Sequence, residues 1–230
     1  MTKIQQAQSG ELIVMFEQDC EEKLVVSEKV LVAIGRQPNT ESLQLENTSI
    51  VMNDNQKGIK VDSCMKTNID NIYAIGDVTN IIQLAHVASH QGIVAVDNIL
   101  NKETAMNYNA VPNVIFTFPE IASVCKTEAE LKLEKVEYNV GKFNYVSSGK
   151  AKAMGETTGF IKVIKDAQSN KLLGASIIGA QASNLISTLA VAIQDNLSDE
   201  DILNTIFAHP TLTEIIHEAT FDLTLGALHQ

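Results

Sequence analysis

The sequence predicts a mixed α/β and α+β protein built from more than one unit, and three observations carry that expectation. Short β-branched runs crowd the first 35 residues, and one stretch near residue 90 repeats its apolar positions every ~3.6 residues. Beyond residue 111, strand and helix patterns segregate instead of alternating. With 230 residues, 45% of them hydrophobic and 20% charged, the chain has apolar material for one core and room for a second.

Taken in order, the runs at 12–16, 24–26 and 30–34 are short, rich in β-branched residues and separated by turn formers, so they predict a small β-meander. Gly35-Arg36-Gln37-Pro38-Asn39-Thr40 is punctuated by Gly and Pro and predicts a loop leaving the last strand. Two extended pieces follow at 58–62 and 72–77, the second a short buried-type strand ending in Gly76-Asp77. A helix is expected over 84–100, closed by Asn101-Lys102. A polar joint at 107–111 leads into a second unit. It reads as a strand at 121–124, a helix at 127–135, strands at 138–145, 159–164 and 172–178, and helices at 182–194 and 198–207. A last helix should start near His209-Pro210-Thr211.

Charge and spacing remove several function classes. The net charge of −11 repels a phosphate backbone and no Lys/Arg cluster interrupts it, which argues against nucleic acid. No apolar run approaches the roughly 20 residues a membrane helix needs, and no basic-then-apolar segment opens the chain, so a cytoplasmic protein is expected. Cys20, Cys64 and Cys125 lie 44 and 61 residues apart, which suits neither a zinc site nor a redox couple. No His, Cys or carboxylate cluster has metal spacing, so no metal is expected.

Four places can carry chemistry. Gly76-Asp77 ends its strand with a carboxylate just after a glycine, an arrangement that can hold a ligand hydroxyl; equally, Asp77 can cap a turn. Gln83-Leu84-Ala85-His86 sits where a helix begins, so backbone N–H groups and about half a positive charge face whatever lies ahead. There the backbone would bind, and the His86 ring would be a helix-start residue on a core face. Gly35-Arg36-Gln37-Pro38 is, alone, only a turn. In Ala208-His209-Pro210-Thr211-Leu212-Thr213-Glu214, a Pro-held His with a carboxylate five residues on forms a plausible acid/base pair. The same string is also a capping box, Thr211-x-x-Glu214, behind a proline that starts a helix. His90, His217 and His229 read as solvent-side or packing residues.

Together, Thr67-x-x-x-x-Ile72-Tyr73-Ala74-x-Gly76-Asp77, the loop after Val30-Leu31-Val32-Ala33-Ile34-Gly35 and His209-Pro210-Thr211-x-x-Glu214 resemble the pyridine nucleotide-disulfide oxidoreductases. The Leu212-Thr213-Glu214-Ile215 continuation, with Glu218-Ala219, is more similar to the dihydrolipoamide-oxidising branch than to the glutathione-reducing one. The similarity runs from about residue 10 to about residue 222. It implies a fold made of the end of an NAD domain (1–40), a second FAD-binding segment (41–110) and an α+β interface domain (111–230).

The resemblance also implies roles. Asp77 would accept a hydrogen bond from a ribityl hydroxyl of FAD, beside Gly76, and the helix start at Gln83, Leu84, Ala85 and His86 would face the flavin pyrimidine edge. Gly35 would approach the nicotinamide cofactor. His209 would take the thiol proton of dihydrolipoamide while Glu214 holds and polarises it, help worth roughly 10²- to 10⁴-fold. The implied assembly is a homodimer through residues 111–230, with an apolar face at 185–193 supplying contact area. The implied partners are the lipoyl proteins of 2-oxo acid dehydrogenase or glycine cleavage systems.

The 230 residues hold no Gly-x-Gly-x-x-Gly strand-helix, no Cys-x4-Cys disulfide and little of an NAD fold, so the chain alone is expected to have no turnover and to bind FAD weakly or not at all. Phe118, Phe207, Cys125 and Asn184 depart from the family pattern, at positions usually His, His, Gly and Glu respectively. Two other readings stay open: a non-catalytic dimerisation or binding module of the same descent, and another disulfide reductase such as one acting on glutathione.

Overall fold

The computed structural model describes residues 2–54 and 57–229. The chain opens with an antiparallel meander of β1 (Lys3–Gln6), β2 (Leu12–Gln18) and β3 (Glu21–Ser27), in the order β1-β2-β3. Asp19 and Cys20 both have left-handed backbone, φ 55 and 62, the twist a two-residue hairpin turn requires. β1 is mostly polar, which hides it from a hydrophobic pattern search. The strand expected at 30–34 does not form: no strand among the described residues pairs with it, and Leu31 and Ile34 stand 90% and 87% exposed. β-Branched residues favour extended backbone, but a ladder needs a partner.

The central segment is held by isolated bridges, Met52 to Ile59 and Lys66 to Tyr73. The strand expected over 72–77 is thus reduced to one bridge, because Asn71 and Gly76 both turn the backbone left-handed, at φ 66 and 74, and a 3-10 turn Gly76–Thr79 follows at once. Helix α1 (Ala85–Ile99) buries Val87, Gln91, Val94 and Ala95 on one side and packs against that turn. Asn101, with φ 59, ends it in the left-handed region. Met65, Val94 and Ala95 form a small core here, backed by Val61, Tyr73 and Met106.

From residue 112 the chain builds a five-stranded antiparallel sheet. Its strands are β4 (Pro112–Ile115), β5 (Glu120–Cys125), β6 (Tyr138–Asn144), β7 (Phe160–Asp166) and β8 (Leu172–Gly179), in the order β4-β5-β8-β7-β6. Cross-strand partners Val124 with Ala175, Ala122 with Ile177, Ile161 with Phe143 and Ile177, and Val163 with Ala175 place one apolar face toward the helices. Helices α2 (Glu128–Glu134), with a capping box from Thr127 and Glu130, and α3 (Gly149–Met154) connect strands. Helix α4 (Ala182–Gln194) covers β5 and β8, α5 (Asp199–Leu203) follows, and α6 (Glu214–Phe221) covers β6 and β7.

Three expectations are corrected here. The helix predicted over 198–207 stops at Leu203, and the last helix begins at Glu214 rather than near His209, since the residue before a proline avoids helical backbone. The apolar face at 185–193 is not a free interface. Leu185, Ile186, Leu189, Ala192 and Ile193 are buried in the unit's own core, and within that stretch Val191 alone is a large exposed hydrophobe. Large exposed apolar side chains sit elsewhere, at Phe116, Phe118 and Ile206.

Candidate functional site

The first cluster lies where the loop after residue 34 meets the central segment. Gly35 has φ 116, a conformation open mainly to glycine, and it leads the chain to Arg36. The Arg36 guanidinium lies 3.4 Å from Asp77 Oδ2 and donates a hydrogen bond to the Gln83 carbonyl. One exposed cation thereby gathers Gly35, Asp77 and the start of α1. The Asp77 side chain caps nothing: the turn closes through backbone, with the Asn80 N–H donating to the Asp77 carbonyl at 3.0 Å. Its carboxylate faces Arg36 and solvent.

Helix α1 starts without a side-chain cap. Leu84 precedes it with extended backbone, φ −129 and ψ 137, and its carbonyl receives the Ala88 N–H at 3.0 Å. A helix of 15 residues ending this way presents N–H groups and partial positive charge toward the Asp77 side. Gln83 donates from Nε2 to Asn80 Oδ1 at 3.1 Å, which fixes the approach. The His86 ring is exposed rather than on a core face, with Nε2 2.9 Å from the Pro112 carbonyl. That position on α1 points away from the side that buries Val87 and Gln91.

The second cluster lies at the entry to α6. Gly141 on β6 permits the close packing of that helix, because an added Cβ would stand 2.0 Å from the Ala219 carbonyl. With α6 so placed, Glu214 at its first position reaches back along the loop. Its Oε1 lies 2.8 Å from His209 Nδ1, and its Oε2 accepts the Thr211 N–H at 2.8 Å. Only half of a capping box is therefore present, since the Thr211 hydroxyl donates to the Ala208 carbonyl at 2.7 Å. Glu214 serves both partners at once.

The electrostatics follow from those contacts. Burial pushes the Glu214 carboxyl up, but the Thr211 amide and the His209 ring outweigh it and hold it below the ordinary value. An ionised carboxylate only accepts, so the ring proton sits on Nδ1 and a neutral His209 carries its lone pair on Nε2. The imidazole is mostly exposed. It borders a cavity of about 310 Å³ together with Phe143, Ser148, Lys150 and Glu218.

His229 lines the same cavity, and neither packing nor simple solvent exposure describes it. Its Nδ1 lies 2.7 Å from Glu218 Oε1, and Glu218, nearly buried, also accepts the Leu228 and His229 N–H groups. Glu218 raises the His229 ring above its ordinary value. A second His–Glu pair thus stands one helical turn from the first, a relation visible only once the chain end folds back. His217 is a packing residue, 5.1 and 4.7 Å from the Phe207 and Phe221 rings, and His90 is exposed. The three cysteines are all free. Among the described residues, no group of His, Cys, Asp or Glu is placed to hold a metal and no helix is long and apolar enough to cross a membrane.

Sequence patterning passes over Arg36 as a site residue because a lone cation in a Gly-Pro loop has no periodic signature. It also passes over Gln91, although a polar residue on the buried stripe of α1 is a readable signal.

Two family descriptions match the chain. Residues 1–92 match the pyridine nucleotide-disulphide oxidoreductase description and residues 111–220 match the dimerisation domain of the same family. Among curated relatives, dihydrolipoyl dehydrogenase of Chlamydia muridarum is 48% identical over 200 residues, covering 87% of this chain and 43% of that protein. The Bacillus subtilis enzyme of the same name is 43% identical over 215 residues, covering 93% of this chain and 45% of its own length. The chain therefore spans less than half the length of these relatives. Among solved structures, LpdA from Mycobacterium tuberculosis superimposes with a TM-score of 0.87 at 27% identity, over 97% of this chain and 48% of that one. The flavoprotein disulfide reductase RclA of Escherichia coli gives 0.83 at 26%, over 96% and 48%. With two family descriptions that between them take in most of its residues, the chain belongs to the pyridine nucleotide-disulphide oxidoreductase family.

Proposed function

We propose that this chain supplies the acid/base residue, the second flavin-binding segment and the dimer contact of a dihydrolipoamide dehydrogenase, with FAD and NAD as its cofactors. The observation that carries the reading is the His209–Glu214 pair: Nδ1 tied to a carboxylate at 2.8 Å, on a mostly exposed ring that lines a cavity. In that geometry His209 accepts the thiol proton of the substrate at Nε2, and Glu214 stabilises the positive ring that results.

The residues of the first cluster fit a flavin. Asp77 offers an exposed acceptor for a ribityl hydroxyl, and the uncapped start of α1 offers backbone donors at Ala85 and His86, while the Leu84 N–H donates to the Ile82 carbonyl at 3.1 Å. Gly35 leaves room for a nicotinamide cofactor, because an added Cβ there would meet nothing within 4 Å. Bound flavin would carry electrons from a reactive disulfide, which this chain does not supply, to nicotinamide. The chain's own part is to bind, orient and move a proton.

On this reading residues 1–40, 41–110 and 111–230 are the end of the NAD domain, the second FAD segment and the interface domain. The dimer contact draws on Phe116, Phe118 and Ile206, which are 79%, 91% and 97% exposed. The partners are lipoyl proteins of 2-oxo acid dehydrogenase or glycine cleavage complexes, in the cytoplasm. The 230 residues alone have no turnover, because Cys20, Cys64 and Cys125 are free and offer no reactive disulfide.

The test is substitution of this chain for the matching segment of the Bacillus subtilis relative. The expected result is a yellow dimer that oxidises dihydrolipoamide with NAD, while the unfused chain shows no turnover with added FAD. A flavin-loaded graft that leaves dihydrolipoamide untouched would overturn the reading.

A further inference from the structure

We infer that Gln91 is the positioning residue of the Gly76–Asp77 turn and that Tyr108 completes the arrangement; the inference rests on the flavin reading above. Gln91 is 0% exposed on the stripe of α1 that otherwise buries Val87, Val94 and Ala95. A leucine has nearly the same volume, so packing alone does not select an amide there, and a buried amide without partners is costly.

Both ends of this amide are engaged. Oε1 accepts the Gly76 N–H at 2.6 Å, and Nε2 donates to the Tyr108 hydroxyl at 2.8 Å. The Gly76 N–H dictates the direction of the amide, since a flipped side chain would set two donors against each other. Nε2 then needs an acceptor, and Tyr108 is it.

The turn needs such a tie. Gly76 has φ 74, and an added Cβ would stand 3.2 Å from Ala88 Cβ, so the position takes glycine, the residue with the least restrained backbone. Its N–H is pinned by Gln91 and its carbonyl accepts the Thr79 hydroxyl at 2.9 Å, so the two peptide groups that flank Gly76, just ahead of the Asp77 carboxylate, are each held. Tyr108, meanwhile, lines a cavity beside Gln83 and Leu84 at the start of α1 and stands in the joint leading to β4. One buried amide therefore fixes the acceptor at Asp77 relative to the helix start and to the second unit.

The test uses the full chain without cofactor, in three variants, Gln91→Leu, Gln91→Glu and Tyr108→Phe, with Asp77→Asn as a fourth for reference. Loss of one hydrogen bond of ordinary net strength accelerates exchange of the Gly76 amide, followed by NMR, by roughly tenfold in Gln91→Leu. Protection at Ile161, Val163 and Ile177 should stay unchanged in that variant. Gln91→Glu keeps an acceptor for Gly76 and should retain protection, whereas Tyr108→Phe should give an intermediate rate. The Arg36 side-chain resonance should move in Gln91→Leu toward its position in Asp77→Asn.

Wild-type protection of Gly76 in Gln91→Leu would overturn the inference. So would a Gln91→Glu variant as fast as Gln91→Leu, or a uniform acceleration of all amides. Absence of a flavin spectrum from the graft would strike the flavin reading instead and leave the Gly76 result standing.

Discussion

At the scale of single residues, a few contacts decide how the site titrates. Glu214 has a lowered carboxyl value, so its contribution to stability is complete above the ordinary carboxylate range and disappears as pH falls through the lowered folded value. His229 behaves oppositely. Its ring is raised above 6.5, so its bond to Glu218 contributes fully below that value and is lost as pH rises through the raised one. Thermal unfolding as a function of pH should therefore show wild type losing more stability than His229→Asn as pH climbs from 6.5, and equal loss would refute a stabilising role for the His229–Glu218 pair. Cys125 gives a second expectation. It holds φ 58 at the end of β5, which costs a side chain about 1 kcal/mol, so Cys125→Gly should match or exceed wild type in denaturant midpoint. The motif strings made His209, Glu214 and Asp77 readable in sequence, because each is defined by near neighbours. Arg36 and His229 were not, because their partners lie 41 and 11 residues away and only folding brings them together.

At the scale of elements, patterning found those that bury one face. Helix α1 was expected over 84–100 and spans Ala85–Ile99, and α4 matched residue for residue, because an apolar stripe at helical spacing has one folded use. It failed where an element depends on a neighbour. The run at 30–34 has strand-forming residues but no pairing strand among the described residues, and polar β1 exists because β2 offers it a ladder. The Lys165–Asp199 pair makes a prediction at this scale. It joins β7 to the start of α5 at 2.6 Å with both side chains buried. Removing one member leaves an uncompensated buried charge, so Lys165→Met should lower unfolding free energy by about 3 kcal/mol. Lys165→Met with Asp199→Leu should recover most of that. Chemical denaturation of both variants checks it.

At the scale of the whole molecule, the chain is two assemblies with unlike burial. The unit from residue 112 onward has a continuous core of more than twenty buried side chains, whereas the central segment rests on a cluster of three. Unfolding should accordingly begin in residues 2–110, visible as earlier hydrogen exchange there than in β7 and β8. Phe116, Phe118 and Ile206 lie in the well-packed unit and remain uncovered within one chain, so Phe118→Asp should leave folding intact while weakening self-association in sedimentation. Kinetics of the grafted enzyme test the central claim most directly, with His209→Gln compared against its parent. The account predicts that kcat for dihydrolipoamide oxidation falls by roughly 10²-fold or more while flavin content stays unchanged. A His209→Gln graft that keeps its flavin and turns over at the parent rate would contradict it.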